Sequence, residues 1–347
     1  MAKFKTDYLN EQKEKLLNKF RELTKELPDF MTPYLQSLEL GAKPTTAVQY
    51  ARDLISFMQF LQSAKPACKN MATSDIPKEV IEKLTYLDIN AFETYLQSGS
   101  YHINSPETIN RTINTLRSYF SYEVSHDNLV KNPTKGAIKM KEDETKDIHF
   151  LTSMEVRALL SSIDEMAEGD SRQSAFSRNT RLRDIAIITL LLNTGIRISE
   201  CVGLDLDHID FEEQSFEILR KGGKKATLYF NNDVKTTLMD YINNERLKYA
   251  EENERALFLS NRKKRIAVRS IQKMLQRYGE LSNIEKLHPH VLRKTFGTNL
   301  YGATGDVELV ATMLGHSNMN TTKEHYSAIT QEHMAQNKNF YLYEKKD

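Results

Sequence analysis

The sequence predicts a mainly α-helical protein of two domains, with a small antiparallel sheet of about three strands in the second domain. Apolar residues recur at helical spacing through most of the 347 residues. A charged segment without periodicity interrupts this pattern near the middle of the chain, and short β-branched and aromatic runs follow at 207–230. With 39% hydrophobic and 27% charged residues, each domain can bury a core of its own.

Four amphipathic helices are predicted in the first domain. They cover residues 7–27, 45–62, 81–98 and 105–125. Thr45 is the predicted N-cap of the second helix, and Asp88 is a predicted cap inside the third. The fourth helix begins with Ser-Pro-Glu, a combination typical of helix N-termini. Residues 1–135 are therefore predicted to form a helical domain.

A linker is predicted over residues 136–150, because the segment is dense in charge and lacks sustained periodicity. The second domain, 151–330, begins with a helix at 151–164. The apolar run at 181–195 ends at a glycine and predicts a core helix. The runs SFEIL and ATLYF flank RKGGKK and predict a hairpin with a Gly-Gly turn, to which HIDF adds a further strand.

Composition excludes several classes of protein. Cys68 and Cys201 lie far apart without ligand spacing, so we predict neither a disulfide framework nor a metal site. No segment approaches the roughly 20 apolar residues of a membrane span, and the N-terminus lacks a signal-peptide core, so we expect a cytoplasmic protein without membrane contact. The net charge is only +1, but cations and acids are segregated along the chain, which allows a phosphate-binding surface.

Five short elements of the second domain carry the candidate chemistry. In chain order they are TGIRISE (194–200), RKGGKK (220–225), HPHVLRKTF (288–296), MLGHSN (313–318) and TTKEHYSAI (321–329). Each element alone has an ordinary structural interpretation, such as an arginine that ends a helix or a half-buried tyrosine. Their occurrence together and in this order points to a shared site.

Taken together, these elements resemble the catalytic domain of the tyrosine recombinase and phage integrase family. The family signature is an arginine, a hairpin lysine, His-x-x-Arg, a histidine or tryptophan, and a tyrosine nucleophile. The resemblance implies the catalytic residues Arg197, Lys221, His290, Arg293, His316 and Tyr326. Glu200 would support Arg197 or a histidine without taking part in the reaction.

The resemblance covers nearly the whole chain, because the helical first domain is similar to the family's core-binding domain. The RKGGK hairpin and the chain length most resemble the single-protein Xer recombinases of streptococci and lactococci. One position departs from the family pattern. The nucleophile commonly lies nine positions after the histidine of LGH, whereas Tyr326 lies ten positions after His316.

The implied residues suit strand cleavage without a metal or cofactor. The Tyr326 phenolate can attack a phosphodiester and stay attached as a 3′-phosphotyrosine, which conserves the energy of the backbone bond. Arg197 and Arg293 can bind the non-bridging oxygens on which negative charge grows. Lys221 can protonate the departing 5′ oxygen, and His290 can exchange the proton of the tyrosine. His316 would donate a hydrogen bond to the phosphate.

Cations around the hairpin and in the segment 262–278 are candidate DNA contacts. This segment predicts one helix with a buried apolar face and a cationic face, and a solvated helix without a ligand fits the same pattern. The neighbouring catalytic elements favour phosphate contacts, and we expect the two domains to clamp the duplex. The candidate residues are Arg220, Lys224, Lys225, Arg262, Lys263, Lys264, Arg265 and Arg269.

The tail at 331–347 carries an aromatic cluster that could pack on its own domain. In the family a C-terminal segment docks onto the neighbouring protomer, so the resemblance implies a homotetramer on two sites in double-stranded DNA. The implied function is site-specific recombination of the kind that resolves chromosome dimers. Alternatives are an integrase or excisionase of a mobile element, a non-catalytic DNA-binding regulator, and a type IB topoisomerase, which shares the chemistry.

Overall fold

The computed structural model describes residues 7–98, 104–141, 149–168, 177–220 and 223–315. Over these residues the chain is mainly helical and contains one three-stranded antiparallel sheet, so the predicted fold class is confirmed. The chain divides into two compact units, Met1–Lys146 and Asp147–Asp347. No helix within the described ranges is long and apolar enough to cross a membrane.

The first unit is built from helices that surround the long helix α3. The helices are α1 (Asp7–Thr24), α2 (Thr32–Gly41), α3 (Pro44–Ala64), α4 (Lys78–Glu82), α5 (Tyr86–Gln97) and α6 (Pro106–Ser125). Phe57 of α3 is fully buried, and its ring lies 5.0 Å from that of Phe92 on α5 and 6.2 Å from that of Phe120 on α6. These edge-on aromatic contacts join three helices in one core.

Two predicted helix starts in this unit are wrong. Helix α3 begins at Pro44, whose fixed φ suits the first helical position, so Thr45 lies inside the helix. The predicted helix at 81–98 is two helices, because Thr85 caps α5 and Asp88 accepts a hydrogen bond from its backbone N at 2.8 Å. Asp88, three residues after Thr85, therefore completes a capping box at the start of α5. The sequence prediction also missed α2.

Side-chain amides hold the start of the predicted linker against the first unit. The Asn110 amide accepts from the backbone N of Met140 and donates to its carbonyl, both at 3.0 Å. The backbone N of Ile138 donates to Asn90 Oδ1 at 3.4 Å. Hydrophobic periodicity does not detect such a segment, because its order comes from asparagine side chains that pair with extended backbone.

The second unit contains seven helices and the sheet among its described residues. They are α7 (Ser153–Glu168), α8 (Arg181–Thr194), α9 (Ile198–Val202), β1 (Ile209–Asp210), β2 (Ser215–Leu219), β3 (Lys225–Tyr229), α10 (Asn232–Asn244), α11 (Val268–Leu281), α12 (Pro289–Thr304) and α13 (Val307–Leu314). The strand order is β1-β2-β3, and Phe216 of β2 pairs with Leu228 of β3. The predicted hairpin is confirmed, although 221–222 of its turn lie outside the described residues.

Helix α8 is the core helix predicted from its apolar run. Ile187, Leu190 and Leu191 are fully buried, and α8 packs against α7, α10 and α12. The helix ends at Gly195, which adopts the left-handed conformation with φ of 58°. A Cβ at this glycine would lie 2.4 Å from the ring of Phe296, so the position requires glycine on two grounds.

Charged groups are also buried at the N-terminal end of α8. Asp184 is fully buried, receives the Arg183 guanidinium at 2.7 Å and accepts from the Tyr278 hydroxyl at 2.8 Å. Glu245, which follows α10, accepts from the backbone N of Leu182 at 2.8 Å. Burial raises the pKa of Glu245 to about 7. This network ties α8, α10 and α11 together through partnered polar groups.

The prediction of one helix from residue 262 is wrong at its start, because α11 begins only at Val268. Residues 260–264 instead form a tight turn, in which Ser260 N donates to the carbonyl of Lys264 at 2.7 Å. Ile266 N donates to Phe258 at 3.0 Å, and both of these apolar side chains are buried. Burying this pair requires a chain reversal rather than a helix.

Candidate active site

Arg197 is fixed at the start of the short helix α9 by Glu200. The Glu200 carboxylate accepts from the backbone N of Arg197 at 2.9 Å and from its guanidinium Nη1 at 3.1 Å. The side chain of Glu200 is only 8% exposed, whereas that of Arg197 is 33% exposed. The carboxylate is therefore buried behind the arginine, and the guanidinium reaches the surface in a fixed orientation.

Arg293 lies on α12 and is buried, with 6% of its surface exposed. Its guanidinium donates to the carbonyl of Gly195, which ends α8, and to the carbonyl of Leu314, which ends α13. A buried arginine requires such partners, because an uncompensated charge would be costly. The contacts set the position of Arg293 relative to two helix ends.

Three arginines from separate elements meet at the end of α13. Arg197 donates to the carbonyl of Gly315 at 2.9 Å, and Arg293 donates to that of Leu314. Arg220, at the end of β2, donates to the carbonyls of Thr312 at 2.6 Å and Met313 at 2.5 Å. The last carbonyls of a helix have no partner within it and carry partial negative charge, so guanidinium donors suit them. We call this group of four carbonyls the α13 end.

Gly315 allows the close approach of these arginines. It adopts the left-handed conformation with φ of 62°, and a Cβ there would lie 2.5 Å from the Arg220 guanidinium. Burial lowers the pKa of Arg220, the Glu200 carboxylate opposes this change, and the positive charge of Arg197 adds to it. The two arginines and the glutamate are therefore close enough to interact.

His290 lies one helical turn before Arg293 on α12, and its side chain is exposed. The ring of His288 lies 6.4 Å from the ring of His290. The structure therefore brings Arg197 and Arg293 to the α13 end, with Glu200 bound to Arg197, and places His290 on the same helix as Arg293. Lys221, His316 and Tyr326 lie outside the described residues, as does the tail at 331–347.

The candidate DNA-binding cations fall into two groups. Exposed members are Lys224, Lys225, Arg262, Lys263, Lys264 and Arg269. Of these, Lys225 lies 3.8 Å from Glu217 across the hairpin, and Lys264 pairs with Glu251. Arg265 and Arg220 are instead held by protein groups. Arg265 donates to the carbonyls of Val202 at 2.8 Å and Leu204 at 3.0 Å, and pairs with Asp205.

Sequence reasoning did not find the α13 end or the contacts that Arg220 makes with it. No local pattern could reveal them, because the partners are backbone carbonyls roughly 90 positions away in the chain. The sequence signal that was available is the glycine of MLGHSN, which marks a helix end of the kind that offers such carbonyls.

Comparison with known proteins identifies the family of this chain. Residues 149–333 match the phage integrase family. The chain belongs to the phage integrase family. Tyrosine recombinase XerS of Streptococcus agalactiae serotype III is 33% identical over 341 residues, which cover 90% of this chain and 95% of XerS. Tyrosine recombinase XerC of Caldanaerobacter subterraneus subsp. tengcongensis is 32% identical over 81% of this chain and 77% of XerC.

Two solved structures of other proteins share the fold of this chain. XerH site-specific recombinase, in a post-cleavage complex with palindromic difH substrate, superposes with a TM-score of 0.67 at 19% identity and covers 92% of this chain and 88% of XerH. The Tn1549 transposon integrase in complex with circular intermediate DNA has a TM-score of 0.64 at 18% identity. The match covers 92% of this chain and 99% of the integrase chain. The prediction of a tyrosine-type site-specific recombinase of the Xer type is confirmed by the family and these relatives.

Proposed function

We propose that this recombinase exchanges strands between two paired sites in double-stranded DNA, with Tyr326 as the nucleophile and a 3′-phosphotyrosine as the intermediate. The observation that carries the proposal is the meeting of Arg197 and Arg293 at the α13 end. His316 is the residue after this end in the sequence, and Tyr326 follows ten positions later. Two guanidiniums held at one place are the arrangement that a phosphoryl-transfer transition state requires.

Cleavage forms one bond and breaks one. The Tyr326 Oη attacks the scissile phosphorus and loses its proton to His290, while the bond from phosphorus to O5′ breaks and that oxygen takes a proton from Lys221. Rejoining runs the same steps in reverse with the 5′ hydroxyl of the partner strand. No water takes part, so the number of phosphodiester bonds is unchanged.

The arginines act on the charge that grows on the non-bridging oxygens. Arg197 carries five N–H donors, and its contacts with Glu200 and Gly315 use two of them within the described part of the chain. Arg293 is buried, so its charge acts in a medium of low dielectric constant. Since both guanidiniums are already held by carbonyls, little reorganisation accompanies binding of the phosphate.

Covalent capture of DNA tests the nucleophile. The purified protein is incubated with fragmented chromosomal DNA of the source organism, denatured in detergent, and the attached DNA is sequenced to define the site. A duplex of that site with a nick beside the scissile phosphate then traps the adduct. We expect the adduct with the wild type and with Tyr341→Phe but not with Tyr326→Phe. An adduct that survives Tyr326→Phe would disprove this assignment, and no adduct on any DNA would favour a binding-only regulator.

The biological task that we propose is resolution of chromosome dimers in the cytoplasm. The likeness to XerS over nearly the full length of both chains supports it. An integrase of a mobile element would use the same chemistry and would yield trapped sites at the ends of that element. A single trapped inverted-repeat site in the chromosome, outside any mobile element, is the result we expect.

We also propose a homotetramer on two DNA sites, with the tail at 331–347 as the contact between protomers. Removal of residues 331–347 is expected to leave binding to one site intact and to abolish the complex of two sites, measured by native gel shift. Normal assembly of the two-site complex without the tail would refute this role. The helical unit at 1–135 is proposed as the core-binding domain, which contacts the DNA together with the catalytic domain.

A further inference from the structure

The side chain of Arg220 joins the β2–β3 hairpin to the α13 end. Its two terminal nitrogens donate to Thr312 at 2.6 Å and to Met313 at 2.5 Å. These are charge-assisted hydrogen bonds to carbonyls of the last turn of α13, and the Thr312 carbonyl also accepts from the backbone N of Gly315 at 3.0 Å. The base of the hairpin is therefore bonded to the α13 end, to which Arg197 and Arg293 also donate.

The backbone of Arg220 fixes the turn from the other side. Its N–H donates to the carbonyl of Lys224 at 2.8 Å, and its carbonyl accepts from the N–H of Gly223 at 3.0 Å. Lys221, the residue proposed to protonate the 5′ oxygen, is the next residue in the chain. The residue that precedes the proposed general acid in the chain thus contacts the place where the phosphate-binding arginines meet.

The contacts of Arg220 hold its guanidinium in one position. Both terminal nitrogens donate to carbonyls of the α13 end, and partial burial lowers the pKa of the guanidinium. Gly315 provides the space for this placement, because any Cβ there would overlap the guanidinium. The surroundings are shaped to hold Arg220 in this position.

We propose that Arg220 is a positioning residue, which holds the hairpin so that Lys221 reaches the 5′ oxygen of a phosphate bound by Arg197 and Arg293. The inference rests on the proposed function, and in particular on Lys221 as the general acid. It assigns Arg220 a role in the protonation step instead of a contact with DNA. A small displacement of a catalytic group is enough to lower a rate about 100-fold.

A substrate with sulfur in place of the bridging 5′ oxygen separates this role from general structural damage. A thiolate leaves without a proton, because a thiol is far more acidic than an alcohol. Cleavage is measured as a single-turnover rate on nicked duplexes of the trapped site, one with bridging oxygen and one with bridging sulfur. We expect Arg220→Ala to cleave the oxygen substrate about 10- to 100-fold more slowly than the wild type, a part of what a general acid contributes.

On the sulfur substrate we expect Arg220→Ala and Lys221→Ala both to return to within about 3-fold of the wild-type rate, since neither then lacks a required proton donor. DNA affinity should be unchanged in both. Arg220→Lys, which keeps one charged donor, should recover part of the rate on the oxygen substrate. Arg157→Ala, an exposed arginine of α7, serves as the matched control and should cleave both substrates as the wild type does.

The two substrates distinguish a wrong role for Arg220 from a wrong general acid. Equal loss by Arg220→Ala on both substrates, with Lys221→Ala restored by sulfur, would overturn the positioning role alone. Loss of DNA affinity with a smaller salt dependence would overturn it in favour of a phosphate contact. If sulfur does not restore Lys221→Ala, the proposed general acid is wrong, and the inference about Arg220 fails with it.

Discussion

Glu200 holds Arg197 at two points, through the backbone N–H at 2.9 Å and the guanidinium at 3.1 Å. One carboxylate therefore both caps α9 and orients the arginine that starts it. This double contact explains why an acid lies beside a residue that we propose to bind phosphate, where its charge alone would be unfavourable. Its effect on catalysis can be measured.

Replacement of this carboxylate should affect the rate more than DNA binding. We expect Glu200→Gln to lower the cleavage rate by roughly 10- to 100-fold, as is typical when a residue that orients a functional group is altered. Affinity for the uncleaved site should change little, because many other contacts supply it. Single-turnover cleavage and gel shift give the two values. A large loss of affinity at a normal rate would show that Glu200 acts on DNA binding instead.

Gly195 should be intolerant of a side chain. Gly195→Ala is expected to destabilise the second unit by about 2–5 kcal/mol, from roughly 1–2 kcal/mol for the left-handed backbone and about 1–3 kcal/mol for overpacking against Phe296. Gly302→Ala is the matched control, since it lies within α12 with no atom within 4 Å of the added Cβ. That change should be neutral or slightly stabilising. Urea denaturation compares the two, and equal midpoints would contradict the prediction.

The buried carboxylate of Glu245 should make stability depend on pH. Its pKa of about 7 in the folded protein lies above the ordinary value of 4.5, so the folded state binds the proton more tightly. Stability from this group is fully present below pH 4.5 and is lost as the pH rises through 7. Denaturation of Glu245→Gln at pH 5 and pH 8 should give a smaller difference than the wild type. The exposed Glu212→Gln should keep the wild-type difference, and an unchanged slope in Glu245→Gln would count against the prediction.

Mutation of two arginines of the basic segment should affect different properties, DNA binding for one and stability for the other. Arg269→Ala, at an exposed position of α11, is expected to lower the salt dependence of DNA binding by about 0.9 in the slope of log affinity against log salt. Arg265→Ala should leave the slope unchanged and destabilise the fold by about 1–3 kcal/mol, because it removes the nearer of two arginine partners of the buried Asp205 and leaves Arg255 at 4.0 Å. Binding titrations between 50 and 200 mM salt, with denaturation in parallel, test both. A reduced slope in Arg265→Ala would assign it to DNA contact after all.

Much of the fold could be predicted from the sequence, because its main helices and its hairpin follow local patterns. The apolar run of α8 and its terminal glycine gave both the core position and the helix end. Hydrophobic periodicity failed where a capping side chain or a local chain reversal determines where a helix begins. Thr85 divides one apparent helix into α4 and α5, and the turn at Ser260 delays α11 to Val268.

The sequence proposes residues for the candidate site, but it does not reveal how they are connected. Arg197, His290 and Arg293 came from a known order of motifs, and the structure brings both arginines to the α13 end. Which cations face solvent could not be predicted. Arg220 and Arg265 look like any other basic residues in sequence, and only their carbonyl partners distinguish them from the exposed members of the same segments.

The α13 end also settles a problem of charge. Three guanidiniums near one another repel, and Glu200 offsets part of this charge, but further acids would also repel a phosphodiester. Backbone carbonyls at a helix terminus supply partial negative charge that belongs to no ionisable group. The proposed phosphate-binding site can thus be assembled before DNA arrives and keep its attraction for the backbone, and the contribution of the carbonyls does not change with pH while arginine stays protonated.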